Sequence, residues 1–181
     1  MSNNPNMKEL FYNHPAKHWH FEQLLHEAGL SRAPTNEWIK KLRQENLITR
    51  IKPRGKMPYY LANYEHPHYQ NSKRLHALQK LHESGFLDYL VSLPVEAVVL
   101  FGSFSRWDWH DGSDIDIFVY GNVDKVYVGK FGSILKREIQ VFSGKNEHDL
   151  TQIGPALLRN IIKGITIKGT LPVEVIAHAA V

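Results

Sequence analysis

Between Phe21 and Ala28 the apolar positions Phe21, Leu24, Leu25 and Ala28 recur at helical spacing, and Gly29 follows as a stop. Ser31 is placed to cap a second helix and Pro34 is tolerated in its first turn. Trp38, Ile39 and Leu42 then form a stripe predicted to be buried, ending before Asn46. The period then changes. Leu47 to Ile51, a basic turn from Lys52 to Lys56, and Pro58 to Leu61 predict a β-hairpin with Gly55 at its tip. Helix, tight turn, helix and hairpin form a winged helix-turn-helix pattern, assigned to residues 1–68. From Tyr69 to Leu93, Leu75, Leu78, Leu81, Leu87 and Leu90 lie among polar residues, with Gly85 interrupting. This predicts a connector, residues 69–93, of one interrupted helix or two consecutive ones. Its apolar stripe needs a partner, either between two units of the chain or in a homodimer.

The pattern changes again over residues 94–181. Val95 to Phe101 is a continuous apolar run rich in β-branched residues, as expected of a strand covered on both faces. In Asp114-Ile115-Asp116-Ile117-Phe118-Val119-Tyr120, carboxylates alternate with apolar residues, so strand periodicity turns both aspartates to one face. Lys136 to Phe142 alternates likewise, with Ile139 and Val141 on one side and Glu138, Gln140 and Phe142 on the other. Asp149 to Lys163 has helical spacing that Pro155 kinks or restarts; Gly164 ends it and Ile165 to Ile167 reads as a last short strand. The fold class is therefore α+β, with a small mixed sheet in the C-terminal part.

A chain of 181 residues holds one ordinary domain or two small ones, and the pattern favours two. No apolar run approaches the roughly 18 residues of a membrane helix, and Met1 to Asn6 lacks the order of a secretory signal, so a cytoplasmic protein without a membrane partner is expected. The absence of cysteine removes disulfides and thiolate metal sites, leaving oxygen and imidazole as ligands. His14, His18, His20, His66 and His68 have no acidic partner at a recognised spacing and are read as ordinary histidines.

Net charge becomes informative once divided: residues 1–85 hold 13 Lys/Arg against 7 Asp/Glu, whereas residues 86–181 hold 9 against 11. From Ser31 to Lys56 there are eight basic residues and two acidic ones. Arg32, Lys40, Lys41 and Arg43 on the second helix, with Arg54 and Lys56 on the hairpin tip, are the candidate DNA-binding residues. A protein-docking module whose lysines only aid solubility is the alternative.

Two carboxylates side by side on a half-buried strand cost several kcal/mol unless a cation compensates. Hard oxygen ligands of this type suit Mg2+ or Mn2+, which complete their coordination with water and substrate phosphates. Gly102-Ser103, ten residues before Asp114, supplies a turn that phosphate can approach closely.

The stretch LFGSFSRWDWHDGSDIDIFV resembles the DNA polymerase β-type nucleotidyltransferase signature, Gly-Ser followed after about ten residues by Asp-x-Asp. It is most similar to the minimal nucleotidyltransferases. A winged helix-turn-helix, a leucine-rich connector and a polymerase β-like nucleotidyltransferase domain at 94–181 resemble archaeal and bacterial proteins of that group. The resemblance implies Asp114, Asp116 and a third carboxylate as metal ligands and catalytic residues. Glu138 is the candidate for the third; if that position is instead Gln140, a ligand is missing and activity is weak or lost. Gly102 and Ser103 would bind nucleotide, and Arg106 would contact phosphate or pair with an aspartate. Trp107 and Trp109 either stack on a base or cover the sheet edge. The implied donor is a nucleoside triphosphate, taken as ATP, and the acceptor is a hydroxyl, on a partner protein in antitoxin-like members. The competing reading is a DNA-binding transcriptional regulator whose transferase fold senses a nucleotide or is inactive.

Overall fold

The computed structural model describes residues 7–172. The readings made for Met1 to Asn6 and for most of the tail from Leu171 onward lie outside the described residues. The chain divides into two compact units, one of Met1–Lys73 with Trp109–Asp111, the other of Arg74–Asp108 with Gly112–Val181.

In the first unit, α1 (Met7–Asn13), α2 (Phe21–Ala28) and α3 (Arg32–Gln44) precede an antiparallel pair, β1 (Ile48–Ile51) and β2 (Tyr59–Ala62). Gly29 closes α2 in the left-handed conformation, φ 61°, returning its N–H to Leu25 and His26 carbonyls. The expected stripe of α3 is shifted: Thr35, Ile39 and Leu42 are buried, while Trp38 is half-exposed with Lys41 Nζ 5.3 Å from its ring centroid. The reason is the i, i+4 spacing from Thr35 to Ile39, whose hydroxyl satisfies itself on Ser31 O at 2.9 Å and so tolerates burial. α1, absent from the sequence reading, buries Met7, Leu10, Phe11 and Tyr12. Phe11 packs edge-on to Trp19, and Tyr12 packs edge-on to Trp109.

α4 (Pro67–Glu83) and α5 (Phe86–Ser92) are the two consecutive helices that Gly85 predicts, and Gly85 itself takes φ 75° between them. The unit boundary falls inside α4, between Lys73 and Arg74. Of the expected leucine stripe, Leu81 and Leu90 are fully buried whereas Leu75 is 67% exposed.

The second unit is built on a four-stranded mixed sheet in the order β5-β4-β3-β6. The central strand β3 (Ala97–Phe101) runs antiparallel to β4 (Ile115–Tyr120) and to β6 (Ile165–Lys168), and β4 runs parallel to β5 (Ile139–Gly144). Every residue of β3 is buried, as its uninterrupted apolar run requires. One face of the sheet carries Val99, Phe101, Phe118 and Tyr120 under Leu158 and Ile161 of α9 (Pro155–Ile162), with Phe142 packed against them. Each such buried side chain contributes roughly 1.5–3 kcal/mol. Pro155 does not kink a long helix but starts α9 after the short α8 (Glu147–Thr151). Between β4 and β5 lies α7 (Gly129–Leu135), a helix the sequence pattern did not show, and the left-handed Lys136, φ 54°, ends it.

Candidate active site

β3 ends in a turn of special geometry. Gly102 has φ +70°, and the short helical turn α6 (Gly102–Ser105) begins there, with Ser105 Oγ donating to Gly102 O at 2.9 Å. Phe101 is paired with Asp116 across the antiparallel ladder, so the Asp116 side chain projects beside this turn. A Cβ added at Gly102 would stand 2.1 Å from Asp116 Oδ2 and 3.0 Å from its Cγ. Glycine is therefore required twice at this position, for the backbone angle and for the space the carboxylate fills.

Asp116 is half-buried. Burial raises its pKa first, and the negative charge of Asp114 raises it further, while the Arg106 guanidinium pulls it back. The two aspartates thus act on one another electrostatically, as side chains two apart on one strand face do. Arg106 caps the C-terminal end of the four-residue α6 turn. Its guanidinium pairs with Asp108 at 2.9 Å, and its backbone oxygen accepts from Arg74 Nε at 3.3 Å.

The expected third ligand is placed differently. The β4–β5 ladder opens at Ile115↔Ile139, so Glu138 precedes the first strand pair. Its backbone oxygen accepts from Ile115 N–H at 2.9 Å, but its side chain is exposed and lines an open cavity with Gly129, Gly132, Ser133 and Lys136. Gln140 instead lies opposite Asp116, and its Nε2 donates to Asp114 Oδ2 at 2.7 Å. Among the described residues no three acidic or histidine side chains gather to form a metal cluster. The structure brings together Gly102, Asp114, Asp116 and Gln140, with the exposed Glu138 one residue ahead of the β4–β5 ladder.

One further residue of the site carries no motif signal. Arg137 Nη1 donates to Ser113 O at 2.8 Å, immediately before Asp114, and its guanidinium lies 5.0 Å from the Phe104 ring centroid, immediately after Ser103. It touches both halves of the motif.

Trp109 groups with the N-terminal unit, where it is buried against Tyr12 and its ring centroid lies 4.5 Å from Lys73 Nζ. Trp107 is half-exposed. Of the histidines, His18 stacks on Tyr59 at 4.1 Å and His20 Nδ1 lies 3.0 Å from Pro58 O. The candidate DNA-binding residues Arg32, Lys40, Lys41, Arg43, Arg54 and Lys56 are all exposed, and Arg32 is paired with Glu22 at 2.7 Å. No described helix is long and apolar enough to cross a membrane.

Residues 83–165, which carry the Gly102 turn and the aspartates, match the family model of a nucleotidyltransferase domain. Among solved structures, the chain is similar to a crystal structure of a toxin–antitoxin with AMP-PNP. That match has 20% identity and a TM-score of 0.38, covering 59% of this chain and 86% of that one. It is also similar to a crystal structure of a mutant toxin–antitoxin MntA-HpeT, with 18% identity, a TM-score of 0.38 and the same coverage of 59% and 86%. A comparison with curated proteins found no match.

Proposed function

We propose that the C-terminal unit transfers a nucleoside monophosphate from a nucleoside triphosphate, with ATP the donor, to a hydroxyl acceptor, and that the N-terminal unit is a winged helix that binds DNA. The observation that carries the first part is the Asp116 carboxylate held against the Gly102 turn, where a Cβ would meet it at 2.1 Å. That contact sets a carboxylate directly beside the Gly102 turn, and the nucleotidyltransferase match over residues 83–165 supports the same chemistry.

Asp114 and Asp116 offer hard oxygen donors, and their mutual repulsion favours one divalent cation of the Mg2+ or Mn2+ type. When bound, that cation neutralises charge on the triphosphate and polarises the α-phosphate. Gly102 and Ser103 orient the β and γ phosphates through backbone and hydroxyl, and Arg106 adds positive charge beside them. The acceptor oxygen forms a bond to the α-phosphorus, the bond from that phosphorus to the bridging oxygen breaks, and pyrophosphate leaves. The hydroxyl proton passes to solvent. The N-terminal reading is supported by the exposed basic residues of α3 and the β1–β2 turn, whose charge suits a phosphate backbone. Acceptor chemistry extends to a partner protein's hydroxyl.

A second reading is favoured by one observation: Gln140 hydrogen-bonds Asp114 where a third carboxylate would complete the site. On that reading the unit binds nucleotide as a sensor within a DNA-binding regulator. Incubation with Mg2+ and each α-labelled nucleoside triphosphate, beside Asp114→Ala plus Asp116→Ala, separates the two. Label transferred by the wild type and lost in the double variant supports transfer. Cation-dependent binding without transfer supports sensing, and the absence of both transfer and binding sinks both readings.

A further inference from the structure

We infer that Gln140 limits this site to a single divalent cation, so that it grips a cation–triphosphate while leaving the acceptor hydroxyl without a metal of its own. The inference rests on the proposed nucleotide reading of the Asp114–Asp116 pair.

Sites that run phosphoryl or nucleotidyl transfer with two cations hold them roughly 3.5–4 Å apart, clamped by carboxylates that share both ions. Here the ligand inventory is short. Asp116 Oδ2 lies beside the Gly102 turn, in the space a Cβ there would take. Asp114 presents its Oδ2 to Gln140 Nε2 at 2.7 Å. Against a carboxylate the amide turns its NH2 group, since its own oxygen would be repelled, so the positive end of its dipole sits on Asp114 and would disfavour a further cation there. The register fixes this arrangement: Asp116 is the Cα partner of Gln140, and the parallel β4–β5 ladder continues for four more pairs to Tyr120↔Gly144, so the strand cannot slip by a residue without inverting its faces. Glu138, which precedes the ladder, is exposed and lines the open cavity beside α7.

Two carboxylates carry the charge that one divalent cation cancels, and Gln140, being uncharged, adds none with which to hold a second. A carboxylate at position 140 would supply the missing shared ligand. In the absence of cation it would add a third like charge and destabilise the fold.

The test counts Mn2+ by electron paramagnetic resonance titration of the full chain, saturated with a non-hydrolysable nucleoside triphosphate analogue, for wild type, Gln140→Glu and Asp114→Asn plus Asp116→Asn. The expected result is one ion per chain in wild type, two in Gln140→Glu, and none held in common with nucleotide in the double variant. Without cation, Gln140→Glu should melt at lower temperature than wild type, and Mn2+ should restore it. Two ions in wild type, or one ion in a Gln140→Glu protein whose melting Mn2+ leaves unchanged, would overturn the inference. No ion and no nucleotide in wild type would instead bring down the underlying nucleotide reading, so the two failures are distinct.

Discussion

Asp116 Oδ2 occupies the space that a side chain on residue 102 would fill, 2.1 Å from the position of its Cβ. The same residue holds φ +70°, a conformation that costs an L-residue roughly 1–2 kcal/mol. Strain and displacement of the carboxylate act together in Gly102→Ala. We expect its melting temperature to fall by about 2–8 °C and its nucleotide affinity by at least about tenfold, equivalent to about 1.4 kcal/mol. Thermal melts and calorimetric titration check the two effects separately, and an unshifted nucleotide affinity would remove Gly102 from the site.

Stability should depend on pH through Asp116. Burial and the Asp114 charge hold its carboxyl above the ordinary value of 3.8. Between 3.8 and that raised value the folded chain binds more protons than the unfolded one, so this group's contribution to stability declines as pH rises through the window. Asp116→Asn removes the penalty. Without cation, the variant should gain on wild type as pH rises from 4 toward 7, the gain levelling off above the folded pKa. Parallel melting curves across that range would show that the pair does not strain the fold.

Arg137 joins Ser113 to Phe104 and so sets the distance from the Gly102-Ser103 turn to Asp114. A hydrogen bond from a charged donor contributes about 1.5–3 kcal/mol. Arg137→Ala is expected to weaken nucleotide binding by about tenfold or more, and Arg137→Lys to recover part of the loss. Equal affinity in all three proteins would reduce Arg137 to surface packing.

Part of this arrangement was legible in the sequence and part was not, for physical reasons that differ by residue. β3 was plain because an unbroken apolar run leaves no solvent face, and Asp114 and Asp116 share a side because a strand alternates. Alternation placed Gln140 and Phe142 together correctly, but it does not say where a strand begins. Left-handed Lys136 delays the ladder to Ile139, which leaves Glu138 outside it and puts Gln140 at the pair. α7 was missed because its two glycines and single buried Phe131 give no helical stripe. The placement of Trp109 with Tyr12 and Lys73 rests on contacts distant in sequence, which no local pattern records.

The basic residues of the N-terminal unit make a separate prediction. If Lys40, Lys41 and Arg54 face phosphates, neutralising all three should weaken duplex binding uniformly across sequences and reduce the salt slope by about one per lost contact. Fluorescence anisotropy across a salt series measures both. Unchanged affinity and slope would remove this surface from DNA binding.

The most direct test of the nucleotide site is calorimetric titration of the full chain with a non-hydrolysable ATP analogue, with and without Mg2+, beside Asp116→Asn. The account predicts binding that requires Mg2+ and that falls at least about a hundredfold, near 2.7 kcal/mol, when Asp116 loses its charge. Binding that is indifferent to Mg2+ and to Asp116→Asn would contradict it.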